Sequence, residues 1–177
     1  MKDFARIGVI CVLRLSTVFG SAEELTHDFN AAYAAGKFNW SNSRTIGTVG
    51  QPPEMNYVCA GSATFENSTF IYIHLSAVSS TVTTSVAVDD LTKVRIARTT
   101  TDAKNMRFWI STDNSSWTQI TDEDLIEYKS YEVTVTMPSK GNYYVKIGRA
   151  TGTSSAVDIR EITYIVSPCH CLRIVSE

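Results

Sequence analysis

The chain has 177 residues, 44% of them hydrophobic, and a formal net charge of -2. That length suits one domain, and that composition excludes a disordered chain. No basic run accumulates to meet nucleic-acid phosphates, and no apolar run reaches the roughly 20 residues of a membrane-spanning helix.

Lys2 and Arg6 precede the apolar run Ile7, Gly8, Val9, Ile10, Cys11, Val12 and Leu13. Gly20, Ser21 and Ala22 then supply the small residues that a signal peptidase cuts beside. This is a secretory layout, although Arg14 interrupts it with a charge. Residues 1–22 are accordingly read as a signal peptide, and 23–177 as a single domain that is secreted or held at the cell surface. Cys11 leaves with the signal. Cys59, Cys169 and Cys171 remain. Either Cys59 joins Cys169 or Cys171 in a disulfide, or all three are thiols set in strands.

Residues 23–35 have two readings. Ala31, Ala32, Ala34 and Ala35 suit a helix, while the alternation from Leu25 to Phe29 suits a strand. Gly36 leads to Phe38, Asn39 and Trp40, and 41–53 is a loop of Ser, Asn, Gly and Pro. Strands are predicted at 57–59, 69–75 and 82–88. The second is apolar on both faces, as a central strand would be, and the third is rich in Thr and Val. Asp89 and Asp90 are read as a turn into the strand 93–98, where Val94 and Ile96 alternate with Lys93 and Arg95.

Residues 99–105 are small and polar. The strand 106–111 follows, with Phe108 and Ile110 on one face and Arg107 and Trp109 on the other. Asp113, Asn114, Ser115 and Ser116 make a tight turn, and 117–120 starts the return. Asp122, Glu123 and Asp124 form an acidic loop. The strand 127–137 puts Tyr131, Val133, Val135 and Met137 inward. Residues 138–142, from Pro to Asn, read as a turn. Beyond it Tyr143, Val145 and Ile147 alternate with Tyr144 and Lys146. After the loop 151–155 comes the strand 157–166, whose alternation slips between Ile159 and Ile162 as a bulge would make it do. Pro168 ends that strand, and 169–175 adds an edge strand.

Many short strands, turns between them and little helix predict an all-β, antiparallel sandwich. Its expected core is Val94, Ile96, Phe108, Ile110, Tyr131, Val133, Val135, Val145 and Ile147. The order KVRIART, MRFWISTDNSSWTQI, YEVTVTMPSKGNYYVKIGR and VDIREITYI resembles the galactose-binding-like jelly roll. More narrowly, it is similar to modules of secreted gut Bacteroidetes proteins, often attached to pectate lyases and other polysaccharide-degrading enzymes. The turn from Ile110 to Trp117, the aromatic Tyr144 before Arg149, and the closing run from Asp158 to Ile162 carry the likeness. Asn114 stands where that turn usually has Gly, and Asn tolerates the left-handed conformation required there. The resemblance implies a jelly-roll sandwich and a non-catalytic module that binds a glycan or polysaccharide, or that packs against a secreted or cell-surface enzyme partner.

The chemistry legible in the residues agrees with a non-enzyme. There is no Gly-x-Ser-x-Gly and no His in a suggestive setting. His27, His74 and His170 are the only histidines. Cys169-His170-Cys171 lacks a second ligand pair, and on a strand His170 points away from its neighbours. The resemblance implies that a structural calcium can be held by such a fold, but the acidic pairs at Asp89 and Asp122 are read as solvated turns, and no cofactor is expected. The run from Ser111 to Trp117 is similar to the Asp-box of sialidases but lacks its Gly and is one residue short, so it is read as a hairpin.

The site material is aromatic: Trp40, Trp109 and Trp117, with Tyr33, Tyr57, Tyr128 and Tyr144. Sugars stack C–H faces on such rings, and neighbouring polar groups orient their hydroxyls. Trp109 and Arg107 share one face of a strand and are the first candidates, with Trp40 and Tyr144 beside them. The competing expectation packs Trp109 under a loop or against the other sheet. A carbohydrate-binding module exposes at least one aromatic beside polar side chains, at a loop end or on a sheet face. A structural or adhesin-type module that contacts proteins or cell surfaces, with no sugar site, buries all three tryptophans.

Overall fold

The computed structural model describes residues 21–99, 106–121, 132–150 and 156–167. In chain order the elements are β1 (Glu23–Asp28), α1 (Phe29–Ala34), β2 (Phe38–Trp40), β3 (Ile46–Val49), β4 (Met55–Ala60), β5 (Ala63–Asn67), β6 (Ile71–Leu75), β7 (Thr81–Thr84), β8 (Val88–Arg98), β9 (Met106–Ser111), β10 (Thr118–Gln119), β11 (Glu132–Arg149) and β12 (Val157–Val166). The expectations for Tyr128, Tyr131, the acidic loop at Asp122, the edge strand 169–175, Cys169, Cys171 and the signal 1–20 lie outside the described residues.

The strands form two antiparallel sheets. In one, called A here, β5 pairs β6, β6 and β1 both pair β12, and β12 pairs β8, which pairs the first part of β11. In the other, B, the order is β2, β3, β4, β7, the last part of β11, β9 and β10. The chain passes repeatedly from one sheet to the other, which is jelly-roll connectivity.

The inner faces meet in one apolar cluster. Phe38 of B and Phe65 of A stand 5.3 Å apart, and the Tyr57 and Tyr164 hydroxyls hydrogen-bond across the core at 2.8 Å. Val94, Ile96, Phe108, Ile110, Val133, Val135, Val145 and Ile147 are all buried. Each fully buried side chain of this size contributes roughly 1.5–3 kcal/mol, so the alternation seen in the sequence is what decides which face of each strand turns inward.

Three local expectations are corrected. The two readings of 23–35 each hold for half of it: Glu23–Asp28 is strand, and Phe29–Ala34 is helix. The switch comes at Asp28, whose carboxylate accepts the Ala31 N–H at 2.9 Å as an N-cap. Asp89 and Asp90 lie inside β8 rather than in a turn before it, with Asp90 at φ 53 and held by Lys140 at 3.0 Å. The expected turn from Pro138 to Asn142 is instead an irregular stretch within one long strand, β11. Its register against β8 shifts between Thr136 and Gly141 and again before Tyr143. Pro138 has no N–H to give a ladder, so it falls where pairing lapses. There β11 leaves sheet A and enters sheet B.

Cys59 is a free thiol, not a disulfide partner. It points into the core from β4, and burial pushes its pKa up to about 12. The predicted bulge in β12 is present, as a register shift against β8 between Ile159 and Glu161. It lets Ile159 and Ile162 both face inward, fully buried.

Candidate functional site

The outer face of sheet B carries the site. In β9 the strand period sends Met106, Phe108 and Ile110 into the core and leaves Arg107 and Trp109 half-buried on the outside. In β11 the same period buries Val145 and Ile147 and turns Tyr144, Lys146 and Gly148 outward. The register then sets Lys146 directly across from Trp109, Gly148 across from Arg107, and Tyr144 across from Ser111.

Following the ladder sideways from Trp109 gives a row of outward residues: Gln119 on β10, Trp109, Lys146, Thr83 on β7, Val58 on β4 and Ile46 on β3. Six strands at the usual spacing make this row about 24 Å long. Ile46 and Val58 are 41% and 39% exposed, so the aliphatic end of the row is open to solvent. Beside it, Thr48, Asn56 and Ser85 line an open depression of about 270 Å³.

Trp109 is seated by a glycine. A Cβ on Gly148 would come within 2.9 Å of Trp109 Cζ3, so the ring lies over bare backbone. Trp117 approaches from the hairpin. That turn is built on Asp113, whose Oδ1 accepts the Ser115 and Ser116 N–H groups and the Ser111 hydroxyl, each at 2.8 Å. These bonds hold the Asp113 pKa well below the usual carboxylate range. Asn114 takes φ 58, the left-handed conformation expected of it. The turn brings Trp117 under Lys146, whose Nζ lies 3.8 Å from the ring centroid. Partial burial lowers the Lys146 pKa.

Trp109, Arg107 and Tyr144 of the sequence candidates therefore come together on one face. Trp40 does not join them. It sits at the end of β2, at the far edge of sheet B, stacked on Tyr33 of α1 at 5.5 Å and 10°. None of the three tryptophans is fully buried. Lys146 and Thr83 were not singled out from the sequence. Their outward direction was legible in the alternation, but their partnership with Trp109 depends on which strands pair.

The two described histidines serve elsewhere. His27 is buried in the core, with Nδ1 2.7 Å from the Tyr57 hydroxyl and Nε2 3.3 Å from the Pro52 carbonyl oxygen. Burial lowers its pKa, and that of Tyr57 is raised well above its ordinary value. His74 pairs with Asp158 at 2.7 Å on sheet A.

No protein-family model matches the sequence, and there is no significant match among curated proteins. Solved structures do resemble the fold. One is CpGH89CBM32-6 produced by Clostridium perfringens, at 21% identity, with 63% of this chain and 76% of that chain covered and a TM-score of 0.42. Another is the low affinity xylan binding module CBM86 from the gut symbiont Roseburia intestinalis, at 12% identity over 83% of this chain and 96% of that one, TM-score 0.41. A third is CBM35 from Paenibacillus barcinonensis, at 14% identity over 82% and 98%, TM-score 0.38.

Proposed function

We propose that the chain is a secreted, non-catalytic carbohydrate-binding module whose glycan lies along the outer face of sheet B. The observation that carries this reading is the half-buried Trp109 on that face, beside Lys146 and in a row with Thr83 and Gln119. A purely structural module gains by burying such a ring. Here the ring stays at the surface with hydroxyl, amide and ammonium groups beside it, the arrangement that a sugar's C–H face and hydroxyls require. The strand residues of this face include no carboxylate and no histidine, so they offer no acid–base pair for glycosidic cleavage. Secretion is supported by the amino-terminal layout, which places the module where polysaccharides are met.

A shallow face with one or two rings buries little area, so dissociation constants of about 10⁻³ to 10⁻⁵ M are expected, roughly -4 to -7 kcal/mol. A glycan array probed with the whole chain tests the reading. Retention of one structurally related set of glycans supports it. If nothing is retained at millimolar glycan, the structural or adhesin-type reading replaces it.

A further inference from the structure

Charge is divided unevenly between the two sheets. Glu23 and Glu24 on β1, Glu66 on β5, Glu132 on β11 and Glu161 on β12 all belong to sheet A. The strand residues of sheet B hold no carboxylate at all. Of the described loop carboxylates, Asp113 is taken up by its own turn and Glu54 lies in the depression beside β4. This happens in a chain whose formal net charge is -2, where a sheet whose described strand residues lack carboxylates is not the default.

Several of the described cations are already paired. Arg44, Arg95 and Lys140 each hold a carboxylate, Glu66, Glu24 and Asp90 respectively, at 2.8, 2.7 and 3.0 Å. Lys146 has no carboxylate partner among the described residues and rests on the Trp117 ring instead. It is partly withdrawn from water, which makes an added negative charge worth more there than at an open surface. Arg107 lies diagonally across the ladder from Lys146, within reach of long side chains at about 7 Å.

We infer that the glycan of this site is anionic and carries its charge as carboxylates, that is, a polyuronate. The inference rests on the carbohydrate-binding reading above and deepens it. A uronic acid bears its carboxylate on C5, at the rim of the pyranose. When the ring's C–H face lies on Trp109, the carboxylate projects sideways along the sheet. The position directly across the ladder is Lys146, and directly opposed Cβ atoms are about 5 Å apart. The ammonium then meets the carboxylate in a charge-assisted hydrogen bond while the indole holds the ring.

The test is titration calorimetry of the whole chain with alginate, polygalacturonate and polyglucuronate, each beside its carboxyl-reduced neutral form, and with dextran sulfate beside dextran. At low salt, at least one polyuronate should bind about tenfold more tightly than its neutral form, equivalent to about 1.4 kcal/mol. High salt should narrow that preference. Lys146→Gln should abolish the preference and Lys146→Arg should keep it, the Gln variant still unfolding cooperatively but slightly below the wild type because it gives up the Trp117 contact. Should Lys146→Gln fail to fold, the neutral pairing and the salt dependence still decide. Equal binding of the neutral forms overturns the inference and leaves the carbohydrate-binding reading standing, as does a preference that survives Lys146→Gln. Binding of dextran sulfate alone overturns the carboxylate assignment. If no polyuronate binds, the inference falls, and the glycan array alone decides the carbohydrate-binding reading.

Discussion

Lys146 Nζ sits over the Trp117 ring, 3.8 Å from its centroid, and so ties the hairpin after β9 to the face of β11. A cation over an indole at a partly open site contributes about 0.5–1 kcal/mol. A double-mutant cycle with Trp117→Leu and Lys146→Met, read by urea denaturation, should return a coupling energy of that size. Additive effects of the two changes would show that the contact contributes nothing to stability.

Gly148 leaves room for the Trp109 ring to approach the sheet closely. A methyl group there meets Trp109 Cζ3 at 2.9 Å and the Ser80 carbonyl oxygen at 3.2 Å, and the backbone oxygen cannot yield as a side chain can. Gly148→Ala should therefore cost about 1–2 kcal/mol, move the indole, and shift tryptophan fluorescence while leaving the ring present. It should also weaken glycan binding. Unchanged fluorescence together with unchanged stability would mean that the ring is not seated on Gly148.

Asp113 anchors the hairpin as a carboxylate. Its pKa is lower in the fold than the ordinary value of about 3.9. Between those two values the unfolded chain takes up a proton and the folded chain does not. The contribution of Asp113 is thus complete above about pH 4 and is lost as the pH falls below it. Denaturant midpoints at pH 7 and pH 3 should differ less for Asp113→Ala than for the wild type. An equal difference would contradict the role given to this carboxylate.

His27 works in the opposite charge state. Neutral imidazole with its proton on Nε2 donates to the Pro52 carbonyl, and Nδ1 accepts the Tyr57 hydroxyl. Burial lowers its pKa below the ordinary value of about 6.5. In the window beneath that value the unfolded chain binds the extra proton, so stability is full above it and falls as the pH drops. Urea midpoints should decline more between neutral and mildly acidic pH for the wild type than for His27→Gln. His27→Ala should cost about 1–3 kcal/mol at neutral pH, because the buried Tyr57 hydroxyl loses a partner. Parallel pH curves for the wild type and His27→Gln would sink the assignment.

Local features were legible in the sequence where one residue type or one slip in period determined them. Asn114 announced a left-handed turn because few other residues accept that backbone. The spacing of Ile159 and Ile162 announced a bulge because both must face the core. Alternation placed Arg107 and Trp109 opposite Phe108 and Ile110. Pro138 and Gly141 misled, because the same residues that make a turn also make a break in pairing, and only the tertiary path shows that β11 runs on into the other sheet. The site's second half was hidden for a related reason. Nothing local to Lys146 names Trp109 as its neighbour. That pairing comes from a ladder between segments some forty residues apart in the chain, and the row through Thr83, Val58 and Ile46 needs three further ladders.

The most direct test of the account compares two tryptophans toward opposite ends of one sheet. Wild type, Trp109→Ala and Trp40→Ala are titrated by calorimetry with a glycan retained on the array, after circular dichroism shows that each is folded. Trp109→Ala should lose binding, and Trp40→Ala, whose ring stacks on Tyr33 away from the row, should keep it. A folded Trp109→Ala that binds as the wild type does would contradict the placement of the glycan on the outer face of sheet B.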